Sequence, residues 1–313
     1  MKILLTGGAG FIGSNLTDLL IDKGHEVVII DDLSTGKKDN LSSHLETNTI
    51  KLIESKVEDV DLSTYSDFDG VIHLAAQASV PLSVSDFKNS STTNLMSSLN
   101  VFNFCINNKL PLIYASSSAV YGELESGNDR SDTIDLLTPY SVDKYVMELY
   151  SGVLFKLKDL SSIGLRFFNV YGPRQDPSSP YSGVISIFID RLLDNKKVHI
   201  NGGSQTRDFV FIDDVVGCIY DSLILSSDKL INKNINILTG KETSIDELVD
   251  QISEQLGVVP EKEYLPLQIG DPLKSNGNIE TMVEFLRKDV NIFSDLSQGL
   301  EKTINYIKDN GTN

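Results

Sequence analysis

Thr6-Gly7-Gly8-Ala9-Gly10-Phe11-Ile12-Gly13 is the stretch that decides the fold of this 313-residue chain. It follows Ile3-Leu4-Leu5, an apolar run typical of a buried parallel strand, and it precedes Ser14–Lys23, where leucines recur at helical spacing. Val27-Val28-Ile29-Ile30 then indicates a second buried strand, which ends at Asp31. The pattern predicts a strand, a glycine turn, a helix and a second strand, which together form a βαβ unit.

The glycine turn has the features of a dinucleotide-binding loop. One glycine turns the chain sharply, one lets backbone N–H groups approach a pyrophosphate, and one lets the helix pack closely on the strand. The N-terminus of the helix then faces the phosphates. The residues predicted to bind the cofactor here are Gly7, Gly10, Phe11, Ile12 and Gly13.

Asp31 lies eighteen positions after Gly13. At that distance a carboxylate can accept hydrogen bonds from both ribose hydroxyls of NAD, and its negative charge repels the additional phosphate of NADP. We therefore predict that the cofactor is NAD.

The composition argues against several other classes of protein. The net charge of −17 is spread over short acidic patches, which disfavours nucleic acid or an anionic membrane as a partner. No apolar run is long enough to span a membrane and no signal peptide precedes the first strand, so we expect a cytoplasmic protein. Cys105 and Cys218 are expected to be buried thiols. The four scattered histidines form no metal site, and His73 is expected to be a hydrogen-bonded strand residue.

Strands alternate with helices along the rest of the chain. Further strands are predicted at residues 50–54, 71–76, 110–115, 161–169 and 234–238, and helices at 91–108 and from Tyr140 onward. This alternation predicts an α/β fold with a doubly wound parallel sheet. We assign residues 1–169, with a returning strand near 234–238, to an NAD-binding Rossmann domain. Residues 170–313 are mainly a smaller C-terminal substrate lobe, with helices predicted at 184–195, 212–225, 244–256 and 278–286.

Tyr140 and Lys144 have the spacing of a catalytic pair. Thr138 is expected to cap a helix whose first residue is Pro139, so the tyrosine and the lysine share one helix face. The ammonium and the helix dipole are both expected to lower the phenol pKa from about 10, so that the tyrosine can act as a base near neutral pH. Ser116-Ser117-Ser118 ends a predicted strand, where a hydroxyl can project over a bound ligand.

These residues resemble the extended short-chain dehydrogenase/reductases, and within them the UDP-hexose 4-epimerase type. The resemblance covers nearly the whole chain. It is carried by Thr6–Ser14, Asp31–Gly36 (DDLSTG), His73–Gln77 (HLAAQ), Ser116–Gly122 (SSSAVYG), Tyr140–Lys144, Arg166–Gln175 (RFFNVYGPRQ) and Thr206–Val215 (TRDFVFIDDV).

The resemblance implies a role for each matching residue. Tyr140 is the general base, Lys144 is its electrostatic partner and a ligand of the NAD ribose, and Ser117 hydrogen-bonds the reacting oxygen. Asn169 and Arg207 hold the substrate diphosphate, Arg207 through a fork that matches phosphate oxygens. Other residues expected beside the cofactor are Leu74, Ala75 and Ala76, and beside the substrate Ser79 and Ser118.

The implied reaction inverts C4 of a UDP-hexose through a transient 4-keto sugar, with NAD regenerated in each cycle and no metal required. Ser275 falls at the family position that forms one wall of the hexose pocket. A tyrosine there narrows the pocket, whereas a small residue leaves room for a 2-acetamido group. UDP-GlcNAc and UDP-GalNAc are therefore the expected substrates, with UDP-Glc and UDP-Gal as a second pair.

Three positions depart from the family pattern. Lys56 replaces an aspartate near the adenine, Asn201 replaces an aromatic residue that stacks on uracil, and Gln268 replaces a second diphosphate-binding arginine. These departures weaken the inference that the nucleotide base is uridine.

Other functions remain open on the same fold. A 4,6-dehydratase or a decarboxylase needs an acid/base carboxylate just after the strand hydroxyl, where this chain has Ser118 and Ala119. A uronate epimerase and a non-catalytic NAD-binding regulator are further alternatives. The presence of Ser117, Tyr140 and Lys144 favours an enzyme.

The resemblance also implies a homodimer, in which the helices at 91–108 and 140–158 pair across a two-fold axis. The residues predicted at this seam are Phe102, Val146, Leu149 and Leu154.

Overall fold

The computed structural model describes residues 1–179, 183–267 and 271–310. Its strands are β1 (Lys2–Thr6), β2 (Glu26–Asp31), β3 (Ile50–Glu54), β4 (Gly70–His73), β5 (Leu112–Ser117), β6 (Ser162–Phe167), β7 (Asn169–Tyr171), β8 (Val198–Asn201), β9 (Thr206–Phe211), β10 (Asn232–Ile237), β11 (Glu242–Ser244), β12 (Lys262–Leu265) and β13 (Lys274–Ser275).

The α-helices are α1 (Phe11–Asp22), α2 (Ser42–Glu46), α3 (Val80–Ser85), α4 (Phe87–Asn108), α5 (Pro139–Lys158), α6 (Val184–Leu193), α7 (Ile212–Asp228), α8 (Ile245–Leu256), α9 (Glu280–Phe285) and α10 (Leu296–Asp309). Among the described residues no helix is long and apolar enough to cross a membrane.

A seven-stranded parallel sheet in the order β10-β6-β5-β4-β1-β2-β3 lies at the centre of the first of two compact units. Its inner strands are almost wholly buried, as expected of a parallel sheet that is covered on both faces. The strand order reverses between β1 and β4, and ligands bind at the carboxyl ends of strands flanking such a point. The predicted α/β fold with a doubly wound parallel sheet is confirmed.

Several element boundaries in this unit differ from the prediction. Helix α1 begins at Phe11 because Gly10, in extended conformation, is its N-cap. Strand β4 ends at His73, so the segment 74–76 lies beyond the strand that the sequence predicts to include it. Helix α5 begins at Pro139 with Thr138 as its cap, as predicted.

The second unit contains strands that the sequence analysis does not predict. Strand β9 pairs with β7, β11 and β13, and β8 pairs with β12. These strands are short, and each pairs with residues far away along the chain. Hydrophobic periodicity is a weak signal in such segments, whereas the longer helices α6 and α8 are recognised.

The two units do not meet at a single boundary in the sequence. The first contains residues 1–120, 136–166 and 216–235, and the second contains 121–135, 167–215 and the chain from 236 onward. The segment 121–135 belongs to the second unit because Gly127 bridges to Gly277 and the Asp129 carboxylate accepts a hydrogen bond from the Asn236 N–H (2.9 Å). Segments 121–135, 167–169, 216–233 and 236–238 thus fall on the other side of the division predicted at Asn169, and the functions assigned to the two parts stay predictions.

The predicted dimer seam is partly wrong. Phe102 is buried in the core against Tyr114, with ring centroids 5.7 Å apart, and Leu154 packs on the same core cluster. Leu149 is 51% exposed, as is Val153 one helical turn later. Cys105 and Cys218 are buried, as predicted.

Candidate active site

The glycine loop joins β1 to α1 at the carboxyl edge of the sheet. Gly7 has a φ of +73°, and a Cβ there would lie 2.7 Å from the Ala75 nitrogen. A Cβ on Gly13 would lie 2.0 Å from the Gly7 oxygen, so this glycine is what lets α1 pack against the loop. Gly10 is different, because a Cβ there would have a single neighbour within 4 Å, the Gly7 oxygen at 3.3 Å. Gly7 thus makes the turn, Gly13 permits the close packing and Gly10 leaves open space for a ligand, as a pyrophosphate-binding loop requires.

Asp31 lies at the end of β2 beside this loop and is 8% exposed. Its two carboxylate oxygens accept hydrogen bonds from the N–H groups of Ala9 and Leu33, each at 2.9 Å. Burial raises the pKa of Asp31, and these N–H groups oppose that shift. Each carboxylate oxygen has a further lone pair, so the side chain can hold the loop and still accept a ribose hydroxyl.

The segment after β4 closes the same edge. The N–H of Ala75 donates to the hydroxyl of Thr6 (3.2 Å), and the N–H of Leu74 donates to the Thr6 carbonyl (3.1 Å). Ala76 follows in the same irregular stretch. The predicted cofactor residues of this segment and of the glycine loop are therefore adjacent.

Helix α5 brings the predicted catalytic residues together. Thr138 and Ser141 form a reciprocal capping box, which fixes the first turn of the helix. The Ser117 side chain, at the end of β5, lies close enough to the Tyr140 hydroxyl to lower its pKa. Lys144 Nζ lies 5.7 Å from the centroid of the tyrosine ring and donates to the Ala115 carbonyl oxygen (2.8 Å). All three predicted catalytic side chains thus meet at the carboxyl end of one strand.

The expected lowering of the Tyr140 pKa is not found in this geometry. Burial raises the pKa of Tyr140 to about 12, the hydrogen bond with Ser117 opposes that rise, and the Asp143 carboxylate adds to it. Burial also lowers the pKa of Lys144 to about 8, against the opposing influence of Asp143. Removal from water is therefore the dominant electrostatic effect on both groups, and sequence spacing carries no information about it.

His73 is a buried strand residue, as predicted. Its ring nitrogens lie 2.7 Å from the Thr6 hydroxyl and 3.1 Å from the Ser98 hydroxyl. Burial, together with the neighbouring Lys144, lowers the pKa of His73 to about 3, so the ring is neutral at physiological pH.

Two predicted substrate residues take part in local structure. Ser79 is the N-cap of α3, and its hydroxyl accepts the N–H of Leu82 (3.2 Å). Ser118 begins a short 3₁₀ helix, Ser118–Tyr121. Neither role excludes contact with a substrate, and their assignment stays a prediction.

In the second unit, three other predicted substrate residues lie side by side. Asn169 Nδ2 donates to the Asp208 carbonyl oxygen (3.0 Å) and lies 3.5 Å from the Ser275 hydroxyl. Ser275 is the register partner of Arg207 in the β13–β9 pair. Arg207 is 6% exposed, and its guanidinium donates to the Thr206 carbonyl oxygen (2.8 Å) and forms an ion pair with Asp271.

Two of the three positions that depart from the family pattern lie in the part of the chain that the structure describes. Asn201 ends β8, and its carbonyl oxygen accepts from the Gln205 side chain. Lys56 is the N-cap of a short 3₁₀ helix, Val57–Asp59. Gln268 lies outside the described residues. No cluster of metal-binding side chains occurs in the part of the chain that the structure describes.

Two buried polar networks on α5 are not predicted from the sequence. Asp143 is 1% exposed and accepts a hydrogen bond from the Asn94 amide (3.0 Å). Glu148 forms a buried bidentate pair with Arg166, at 2.6 and 2.8 Å, and accepts from the Ser116 hydroxyl (2.5 Å). The sequence signal for the second network is Glu148, four residues after Lys144, and solvated helix faces carry the same signal. Asp143 directly precedes Lys144, and that spacing gives no signal for the first.

Comparison with known proteins supports an assignment to one family. Residues 3–237 match the family model described as the NAD dependent epimerase/dehydratase family. A putative UDP-glucose 4-epimerase from Methanocaldococcus jannaschii is 37% identical, covering 98% of this chain and 99% of the relative.

Two solved structures resemble the chain over almost its whole length. One is the UDP-N-acetylglucosamine 4-epimerase from Methanobrevibacter ruminantium M1 in complex with UDP-N-acetylmuramic acid, with a TM-score of 0.90, 35% identity and 99% of each chain covered. The other is the UDP-glucuronic acid 4-epimerase from Bacillus cereus in complex with UDP-glucuronic acid and NAD, with a TM-score of 0.89, 32% identity, and 99% of this chain and 100% of that chain covered.

Proposed function

The chain belongs to the NAD dependent epimerase/dehydratase family, and from that premise we propose that it is an NAD-dependent UDP-sugar 4-epimerase. The observation that carries the proposal is the convergence of Ser117, Tyr140 and Lys144 at the end of β5. Hydroxyl, phenol and ammonium are the groups needed to remove a proton from a sugar alcohol and to return it.

The residues of the glycine loop fit NAD. Gly10 leaves the approach to the start of α1 open, and that helix has no side-chain cap, so its first N–H groups suit a pyrophosphate. Asp31 and Lys144 are the proposed ribose ligands, and the segment 74–76 flanks the cofactor. Bound there, NAD would supply reversible hydride transfer at C4 of the sugar.

Tyr140 holds and moves the proton in the proposed mechanism. It accepts the proton of the C4 hydroxyl while Ser117 hydrogen-bonds the same oxygen. It gives the proton back after the 4-keto sugar has rotated to present its other face. The Tyr140 pKa of about 12 is found with Lys144 already beside the ring, because burial outweighs the other influences. We propose that the Lys144 ammonium, largely protonated at pH 7 with a pKa of about 8, favours the phenolate once NAD and the sugar occupy the site.

We further propose UDP-GlcNAc and UDP-GalNAc as the substrates, with UDP-Glc and UDP-Gal as a second pair. Support comes from the position of Ser275, which contacts Asn169 and pairs with Arg207, the two residues proposed to hold the diphosphate. An ordinary loop serine remote from the substrate residues would not have these neighbours. The half-buried serine leaves more room than a bulkier residue would for a group on the sugar.

The function is tested by incubating the purified protein and NAD with each of four substrates, and by resolving the products by NMR. The four substrates are UDP-GlcNAc, UDP-Glc, UDP-glucuronic acid and a nucleotide sugar with another base. Interconversion at C4 is expected for UDP-GlcNAc. A product formed by loss of water or of carbon dioxide would identify a dehydratase or a decarboxylase, and no turnover would favour a binding protein.

We expect NAD to bind at least about tenfold more tightly than NADP, because the buried Asp31 carboxylate lies where the 2′-phosphate would bring a like charge. Isothermal titration calorimetry with both cofactors measures the ratio. The neighbouring Asp32→Asn, at an exposed position, is the control and should leave the ratio unchanged. Equal or tighter binding of NADP would overturn the assignment of Asp31.

We also propose that the protein is a homodimer through α4 and α5. In place of the buried Phe102, the half-exposed side chains of Met96, Leu149 and Val153 are the proposed seam. Leu149→Lys should convert the dimer to a monomer in sedimentation equilibrium at micromolar concentration, because it places a charge in an apolar contact. Val259→Lys, at a position in the second unit that is 96% exposed, should not. A parent protein that is monomeric would refute the proposal.

A further inference from the structure

Asp143 is a buried carboxylate to which the proposed mechanism gives no role. It lies on α5 between Tyr140 and Lys144 and is 1% exposed. Burying a carboxylate is costly unless nearby groups compensate for the loss of water, so its place beside the catalytic pair needs a physical reason.

Asn94 connects this carboxylate to the cofactor edge of the sheet. Its side-chain amide donates to Asp143 (3.0 Å) and to the carbonyl oxygen of Gln77 (3.2 Å), and its oxygen accepts the N–H of Gln77 (2.8 Å). Asn94 is 1% exposed, so little water competes for these hydrogen bonds. Gln77 directly follows Leu74–Ala76, the segment proposed to flank NAD. One chain of hydrogen bonds thus runs from the catalytic helix to the cofactor segment.

We propose that Asp143 is a positioning residue that ties the Tyr140–Lys144 pair to the cofactor segment through Asn94 and supplies the buried negative charge that keeps Lys144 an ammonium. This inference rests on the proposed epimerase function. The same charge acts on both members of the pair, since it opposes the loss of the lysine proton and also holds the tyrosine proton more tightly. Asp143 therefore sets the pH range in which the pair works.

The other titratable groups around the pair do not supply this charge. His73 on β4 is neutral, because its pKa is lowered to about 3, and the Tyr114 phenol on β5 is kept neutral by burial, which raises its pKa. Helix α3, whose Ser83 hydroxyl accepts the N–H of Tyr140, has no titratable side chain. Glu148, on the next turn of α5, is neutralised by Arg166.

The test is the pH dependence of kcat/KM for UDP-GlcNAc in the NAD-loaded parent, in Asp143→Asn and in Asp143→Ser. Asp143→Asn keeps the shape and removes the charge, so both limbs of its profile should move to lower pH by roughly one unit. Asp143→Ser removes the same charge with a smaller side chain and should move both limbs in the same direction. Asp143→Glu keeps the charge, so both limbs of its pH profile should stay at the pH values of the parent. Asp159→Asn makes the same change at the exposed end of α5 and is the matched control.

Calorimetric NAD titrations over the same pH range give a second readout that needs no turnover. The alkaline loss of NAD affinity should begin at lower pH in Asp143→Asn than in the parent, because Lys144 loses its proton earlier. If kcat/KM and NAD affinity fall equally at every pH and both limbs of the pH profile stay in place, Asp143 has only a structural role. That result would overturn the proposal. If Asp143→Asn does not fold, Asp143→Ser decides by the same shift. A parent that epimerises no sugar refutes the proposed function, and the NAD titrations still decide the role of Asp143.

Discussion

Replacing Tyr140 by phenylalanine is expected to reduce kcat by at least about a hundredfold, because general acid/base groups typically contribute 10² to 10⁴ in rate. The variant loses the phenol hydroxyl beside Ser117 but keeps the ring that packs beside Lys144. NAD affinity should stay within about twofold, since the proposed NAD contacts of the glycine loop and Asp31 are untouched. Steady-state kinetics with UDP-GlcNAc and NAD calorimetry measure the two quantities separately.

Tyr150→Phe is the matched control for this variant. Tyr150 lies on the same helix, is 43% exposed and has no proposed catalytic role, so its loss of a hydroxyl should leave kcat nearly unchanged. Epimerisation by Tyr140→Phe at close to the parental rate would exclude Tyr140 as the base. A large loss in both variants would indicate damage to α5 rather than to the chemistry.

The parts of the fold that depend on local physical rules could be predicted from the sequence. The glycine loop is recognisable because each glycine has a distinct steric task, and Thr138-Pro139 marks the start of α5 because capping is a local interaction. The buried parallel strands of the first unit are recognisable as short apolar runs.

The parts that depend on distant partners could not be predicted. Strands β8 and β12 exist through pairing across more than sixty residues, as Val198 with Lys262 illustrates. The segment 121–135 is held in the second unit by the bridge of Gly127 to Gly277. Phe102 has the spacing of a seam residue, yet it faces the core, since both faces of a helix next to a sheet can carry apolar residues.

The electrostatics of the candidate site were the least accessible to sequence reasoning. Spacing correctly indicated that Tyr140 and Lys144 would share a helix face, but the sign of the tyrosine pKa shift depends on burial. The role proposed for Asp143 was not predicted for the same reason. It depends on the burial of the carboxylate and on its hydrogen bond with Asn94, which lies on another helix. Three-dimensional packing decides whether a charge near a catalytic group is strong or screened.

Substitution of Ser275 by tyrosine is expected to lower kcat/KM for UDP-GlcNAc by at least about tenfold, while kcat/KM for UDP-Glc changes by less than about threefold. The new ring would fill space beside Asn169 and Arg207, where we propose that the 2-acetamido group is accommodated. Losing a favourable contact in a roomy pocket costs only about 1 to 3 kcal/mol, but a steric wall against the acetamide has no such ceiling. The effect should therefore fall on one substrate pair and spare the other.

Ser275→Ala separates size from hydrogen bonding in this experiment. Alanine keeps the space and removes the hydroxyl that lies 3.5 Å from the Asn169 amide, so activity on the N-acetylated sugars should persist. Both variants and the parent are assayed with UDP-GlcNAc, UDP-GalNAc, UDP-Glc and UDP-Gal at the same saturating NAD concentration. NAD affinity is measured to exclude a general defect. The substrate assignment fails if Ser275→Tyr retains parental activity on UDP-GlcNAc, or if the parent epimerises only UDP-Glc and UDP-Gal. An equal loss on all four sugars would instead place Ser275 at the diphosphate, which Asn169 and Arg207 are proposed to hold.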